Sequence, residues 1–321
     1  MGAALTACNE GVRKMLMPAE GSCTRDWDGF GEPEEGSLLM LGEVSMMTFS
    51  LDSTKQLFIE GLGAKSAEPL EVGVTNLRFS ETDIADASTW PGQLYVWVEN
   101  IQTAWHKSRQ LGESVVESAI CCHDERFPDA LVVREPGSNN VVMVNQAPKG
   151  YASALRQALK GKSAASDANL VCLMDLLCLV PIGTAGKLAS FYERFLSAKI
   201  AATNDGYRLR FGAGDFLRQT FTFKDDESAD DAWGPTSFQR KVCFYLDSEA
   251  KFRIAFSKLS KAQLVSGDWQ AAAASGEFHF AHCVDESGVT ILNLAHTIRS
   301  PVHPECPLRG SQDVAETALG G

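Results

Sequence analysis

Apolar and polar residues alternate along this chain in blocks whose period changes in a fixed order. An apolar run at residues 44–50 gives way to helical spacing over residues 53–61, then to short alternating segments punctuated by Gly, Asn, Asp and Pro. Apolar positions two apart predict a half-buried strand, and positions three to four apart predict an amphipathic helix, here with Ser53 or Asp52 placed to cap it. The same order recurs with a strand at residues 173–180 and a helix over about Ala185–Leu196.

The recurrence is an internal repeat. Phe58-Ile59-Glu60-Gly61-Leu62-Gly63-Ala64-Lys65 aligns with Phe191-Tyr192-Glu193-Arg194-Phe195-Leu196-Ser197-Ala198-Lys199 after one inserted residue. Each is followed by a strand-like segment with a carboxylate two residues beyond Phe79 or Phe223. Leu94-Tyr95-Val96-Trp97-Val98-Glu99 likewise matches Val242-Cys243-Phe244-Tyr245-Leu246-Asp247, and Val98 precedes Leu111 by the same interval as Leu246 precedes Leu259. Each copy then reaches a turn, at residues 135–139 or 285–288, and a closing strand at residues 141–145 or 290–294. The pattern is α+β, with four βαβββ modules. Modules one and two are expected to form a domain over residues 37–149, and modules three and four a second over 169–300. Residues 1–36 read as a disordered N-terminal tail, 150–168 as a linker and 301–321 as a C-terminal tail.

Composition narrows the function classes. The chain has 321 residues, 45% hydrophobic and 22% charged, which is ordinary for a globular protein of about two domains. Its 29 Lys and Arg against 41 Asp and Glu give a net charge of -12, which argues against nucleic acid as a partner. The apolar block at residues 170–182 carries Asp175 and meets Pro181 and Gly183, so no transmembrane segment is expected. Nine cysteines, an odd number with Cys121 and Cys122 adjacent, read as reduced thiols and a cytoplasmic location. Met1-Gly2-Ala3-Ala4-Leu5-Thr6 fits an N-myristoylation pattern, with Cys8 as a second acylation site, so N-terminal acylation and membrane anchoring through Gly2 are a separate expectation.

The Phe-Tyr-Glu helix end at residues 191–193, its weaker copy at 58–60, and Glu135-Pro136-Gly137-Ser138-Asn139 together resemble the vicinal oxygen chelate superfamily, the glyoxalase, fosfomycin-resistance and extradiol-dioxygenase group. The resemblance spans about residues 40–300. The ending, Ile298-Arg299-Ser300 with His303-Pro304 and Pro307, is similar to that of uncharacterised tandem proteins of marine microalgae and brings no function with it. The superfamily resemblance implies two glyoxalase-like domains with curved mixed sheets, each holding a small molecule and often a divalent metal ion.

In that family the ligands come from the start of each module's first strand and from its last strand. The corresponding first-strand residues are Glu43, Gln93, Asp175 and Lys241, so Glu43 with Gln93 forms one candidate oxygen pair. In the last strands the usual carboxylate falls at Val142 and Leu292, which cannot ligate. A one-residue bulge would bring Asn293 into register, with His296 further along, giving Asp175, Asn293 and His296 as a second candidate set. Lys241 would compete there with a cation for Asp175. The metal site therefore reads as degraded.

Other candidates are weaker. Cys121, Cys122 and His123 point to alternate faces of a strand, as do His279 and His282, while His106 reads as solvated on a helix. No Ser-His-Asp signature, Walker loop or dinucleotide fingerprint occurs, and Gly212-Ala213-Gly214 reads as a hairpin turn. Tyr95 and Trp97 share one strand face, and Arg210, Arg218 and Gln219 lie on strands of module three. Tyr95, Trp97, Arg210 and Gln219 are accordingly candidates for lining a small-molecule cavity, with sheet packing as the other reading. The functional expectation is a divergent small-molecule binder. The alternative is an active metal-dependent lyase, isomerase or dioxygenase.

Overall fold

The structure, a computed structural model, describes residues 38–64, 69–82, 90–116, 118–121 (backbone alone), 127, 130–134, 139–145, 170–204, 206–212, 219–229, 232–233 and 240–308. Module one contributes β1 (Leu38–Thr48), α1 (Leu51–Gln56) with a π-helical turn (Leu57–Gly61), β2 (Leu70–Val72) and β3 (Thr75–Glu81). Module two contributes β4 (Gly92–Val98), α2 (Ile101–Gln110), β5 (Ser118–Cys121), β6 (Leu131–Arg134) and β7 (Asn140–Val144). Module three contains β8 (Leu170–Val180), α3 (Ala185–Leu196), β9 (Ile200–Thr203), β10 (Gly206–Phe211) and β11 (Gln219–Asp225). Module four contains β12 (Lys241–Leu246), α4 (Glu249–Lys261), α5 (Trp269–Ser275), β13 (Glu277–Phe280), a hairpin of β14 (Cys283–Val284) and β15 (Thr290–Leu292), and β16 (Ala295–Arg299).

Two large, curved mixed sheets result, ordered β13-β16-β12-β1-β3-β2 and β5-β6-β7-β4-β8-β11-β10-β9. The first sheet joins modules one and four, and the second joins modules two and three. This corrects the grouping into residues 37–149 and 169–300, because each sheet draws strands from both ranges. At each centre two first strands pair antiparallel, β1 with β12 and β8 with β4, and each last strand runs parallel to its own first strand.

The duplication extends to irregularities. β1 and β8 each have eleven residues, and both ladders slip twice at matching places, around Leu39 and Gly42 in β1 and around Val171 and Met174 in β8. Glu43 and Asp175 are thus equivalent, as expected, but they stand mid-strand, because β1 starts at Leu38 and β8 at Leu170. At the β1 bulge a Cβ on Gly42 would lie 2.3 Å from Tyr245 Cε2, so only glycine admits that ring.

Helix starts explain the repeated carboxylates. Glu81 Oε2 accepts the Leu51 N–H at 3.2 Å, and Asp225 Oδ1 accepts the Thr184 and Ala185 N–H groups at 3.1 and 2.9 Å. Each thereby answers orphan donors, and places negative charge, at the N-terminus of its own module's helix. Ser50, rather than Ser53 or Asp52, is the N-cap of α1, and the regular helix ends early at Gln56.

The helices cover one face of the sheets. Phe191, Tyr192 and Phe195 of α3 are buried, and Tyr192 packs against Phe221, Phe223 and Phe244, so α3 touches both sheets. Truncating a buried ring of this kind typically costs about 3–5 kcal/mol. A polar bracket also spans the sheets. Gln219 Oε1 accepts the Leu41 N–H at 3.2 Å, while its Nε2 donates to Thr75 Oγ1 at 2.8 Å and to Leu173 O at 2.9 Å. Thr75 Oγ1 in turn donates to Leu41 O at 2.7 Å.

Two further corrections concern module four and its end. Residues 290–294 do not form the last strand. Among the described residues Thr290–Leu292 pairs only with β14, and the strand parallel to β12 is Ala295–Arg299. Residues 300–308 pack onto the protein, with His303 and Cys306 buried. The expected tail at 1–36, the linker at 150–168, the acylation motif at Gly2, residues 309–321, the Cys121-Cys122-His123 side chains and the turn at Ala213 lie outside the described residues.

Candidate functional site

Opposite the helices, each sheet presents a helix-free face, and strand register maps its residues into rows. On the six-stranded sheet one row reads His279, Thr297, Cys243, Glu43, Asn76 and Glu71. The adjacent row reads Ala295, Lys241, Ser45 and Arg78. On the eight-stranded sheet the equivalent rows are Val132, Val142, Tyr95, Asp175, Thr220 and Arg210, then Asn140, Gln93, Leu177, Thr222 and Arg208.

Glu43 is buried, and its carboxylate is engaged by Arg78, whose Nε lies 2.7 Å from Oε2, while Ser45 Oγ donates to Oε1 at 3.4 Å. Further along the sheet Arg299 holds Glu277 through Nε at 2.9 Å and Glu305 through Nη1 at 2.7 Å, and Nη1 also donates to Tyr245 Oη at 3.2 Å. Burial raises the Glu277 carboxyl, but Arg299 with His279 and His303 brings it below its usual range. Burial pushes the Cys243 thiol up to about 12, so at neutral pH it is a protonated small hydrophobe and not a thiolate.

On the other sheet Asp175 is fully buried, and its Oδ1 accepts both the Thr220 and Thr222 hydroxyls at 2.8 Å. Gln93 Oε1 accepts the Tyr95 hydroxyl at 2.8 Å. Tyr95 and Trp97 do share the helix-free face but are only 3% and 8% exposed, and the Phe127 ring lies 5.7 Å from Tyr95. Arg210 is buried on the same face, while all of Gln219's described hydrogen bonds belong to the bracket between the sheets.

The structure does not bring the expected metal sets together. Glu43 and Gln93 belong to different sheets, a consequence of the module pairing. Lys241 stands diagonal to Glu43 rather than beside Asp175. Asn293 Nδ2 donates to Trp233 O at 3.1 Å. His296 sits on the helix side of its sheet, where Nδ1–H donates to Leu294 O at 2.8 Å and Nε2 accepts the Tyr192 hydroxyl at 2.7 Å. It is stacked 4.2 Å from Phe280, and burial lowers its pKa to about 3.

A divalent ion needs roughly three protein donors with room for water or substrate. Among the described residues no group of three His, Cys, Asp or Glu converges in that way. At the Glu43 position the carboxylate already meets a guanidinium, the last strand offers Thr297, and an ammonium stands in the next row. At Asp175 the facing residues are Tyr95 and Thr220. The residues present do not fit the ion. Sequence reading missed Arg78, Thr220 and Thr222, although the Phe79 and Phe223 alignment already placed Arg78 and Thr222 at matching positions.

A cleft of about 540 Å³ opens on the helix side, between α3 and the β14–β15 hairpin. Asp285, on its rim, binds its own turn through the Ser287 and Val289 N–H groups. The helix-free faces carry the more organised chemistry.

No family model and no curated protein matches the sequence. Solved structures match the fold. A Bacillus subtilis strain 168 protein with a provisional dioxygenase assignment has a TM-score of 0.50 at 9% identity, over 83% of this chain and 86% of that one. Glyoxalase I from Zea mays gives 0.47 at 9% identity, over 88% and 96%. The 2,2',3-trihydroxybiphenyl 1,2-dioxygenase of Sphingomonas wittichii RW1 gives 0.28 at 13% identity, over 82% and 91%. At such identities the likeness concerns the fold alone. The chain has an α+β fold with two curved mixed sheets, a fold it shares with the Bacillus subtilis structure.

Proposed function

We propose that this protein binds a small organic molecule on the helix-free face of the six-stranded sheet, and that protein side chains rather than a divalent ion supply the charge there. The observation that carries this reading is the Arg78–Glu43 ion pair, which occupies the carboxylate a metal would need. Ser45 and Ala295 are half-buried small side chains beside the longer Lys241 and Arg78, while Cys243 and Thr297 in the next row are buried beneath the surface. Side chains of Arg78 and His279 are 51% and 57% exposed, so this face meets solvent. The wall of Tyr95, Trp97 and Arg210 on the other sheet is packed instead. A partly open patch of small side chains with a few polar groups beside it suits a small ligand.

Soaking crystals in a panel of small aromatic and aliphatic fragments tests the reading. Bound fragments are expected over Ser45 and Ala295, beside Lys241 and Arg78. Fragments confined to the Tyr95 and Trp97 side, or to the cleft beside α3, would overturn it.

A further inference from the structure

Taking the six-stranded face as the ligand site, we infer that it selects a small molecule bearing an oxyanion, a carboxylate or phosphate group, held over Ser45 between Lys241 and Arg78, once per chain.

The charge inventory of the face leads there. Glu43 is engaged by Arg78, and Glu277 and Glu305 are engaged by Arg299. Lys241 has no carboxylate within 4 Å among the described residues, and Glu71, on the far edge strand, is three strands or about 14 Å away. Arg78 uses Nε on Glu43, and its Nη groups make no hydrogen bond among the described residues. Ser45 is register partner to both Lys241 and Arg78, so the two cations stand one strand to either side of it, their Cα atoms about 10 Å apart. The Ser45 hydroxyl has one long contact, to Glu43, and is free to turn toward a ligand. Two cationic arms astride a small hydroxyl residue match an oxyanion, which accepts several charge-assisted hydrogen bonds at once. The arrangement also concentrates cations locally on a chain whose net charge is -12, where an anion would otherwise find little attraction.

The duplicated half provides an internal control. Gln93, Leu177 and Thr222 occupy the positions equivalent to Lys241, Ser45 and Arg78, and none carries a charge. The other sheet therefore lacks this pair of cations at the equivalent positions, and the arginine of its row, Arg208, stands one strand beyond Thr222.

Titration of the labelled full chain with benzoate, phenyl phosphate and neutral benzyl alcohol, followed by NMR at Lys241 and His279 and by calorimetry, tests the inference. Saturable binding of one anion per chain is expected, weakening as salt rises. The two anionic probes distinguish a carboxylate from a phosphate ligand. Copying the other half with Lys241→Gln, or with Ser45→Leu added, should weaken binding about tenfold or more, and Lys241→Arg should largely restore it. Anions that bind no tighter than benzyl alcohol on this face would overturn the oxyanion inference while leaving the ligand face standing. Two equivalents per chain, or affinity unchanged by Lys241→Gln, would overturn it too. No response on the face to any of the three probes would remove both readings.

Discussion

Replacing Gln219 by leucine is expected to destabilise the protein by roughly 3–5 kcal/mol, read as a shift in the urea midpoint. The side chain is 1% exposed and bonds to Leu41, Thr75 and Leu173, which come from both sheets. Leucine has a similar volume, so packing changes little. What changes is that the Leu41 N–H and one acceptor site each on Thr75 and Leu173 lose their partner in a buried place, and each such loss costs about 1–3 kcal/mol. Thr75→Val removes the hydroxyl from the same bracket, so the double variant should lose less than the sum of the single losses. A loss under 1 kcal/mol for Gln219→Leu would mean that the sheets are held by apolar contact alone.

Acidification is expected to destabilise the protein steeply through His296. Its Nδ1–H is committed to Leu294 O and its Nε2 lone pair to the Tyr192 hydroxyl, so adding a proton takes away the acceptor of the Tyr192 O–H, forcing that bond to reverse, and places charge between Phe244 and Phe280. The folded pKa is about 3 against an ordinary 6.5, so the folded state stays neutral where the unfolded chain takes up a proton. Stability is therefore unaffected well above pH 6.5 and falls by about 1.4 kcal/mol per pH unit between roughly 6.5 and 3. The double variant Tyr192→Phe/His296→Phe removes both partners of the Tyr192–His296 bond together, so that only Leu294 O loses a donor. Urea midpoints at pH 7, 6 and 5 should show its slope reduced by about one proton. An unchanged slope would place the titration elsewhere.

Much of this fold was legible because duplication repeats physical constraints. The Phe79 and Phe223 carboxylates recur since each module's helix needs its N-terminal donors answered, and Glu43 matches Asp175 because both first strands carry the same bulges. Module pairing was not legible. The four first strands present similar apolar ladders, and nothing local to β1 says whether β4 or β12 lies beside it. That uncertainty propagated into the site, separating Glu43 from Gln93 and bringing Lys241 next to Ser45. His296 was misplaced for a different reason. Thr290-Ile291-Leu292 alternates like a closing strand, but it closes a hairpin, and the true last strand resumes at Ala295 on a different phase. Arg78 escaped notice because alternation assigns a strand residue to a face without showing what stands across from it.

Both equivalent carboxylates, Glu43 and Asp175, are already satisfied within the protein. Calorimetric titration with Ni, Zn, Fe and Mn tests it most directly, because an ion that gains only one or two oxygens gains little over its hydrated state. Dissociation constants in the micromolar range or weaker are expected for every metal, unchanged by Glu43→Ala or Asp175→Ala. A tight site, stoichiometric with one sheet or both and abolished by either substitution, would contradict the account and restore a metal-dependent enzyme.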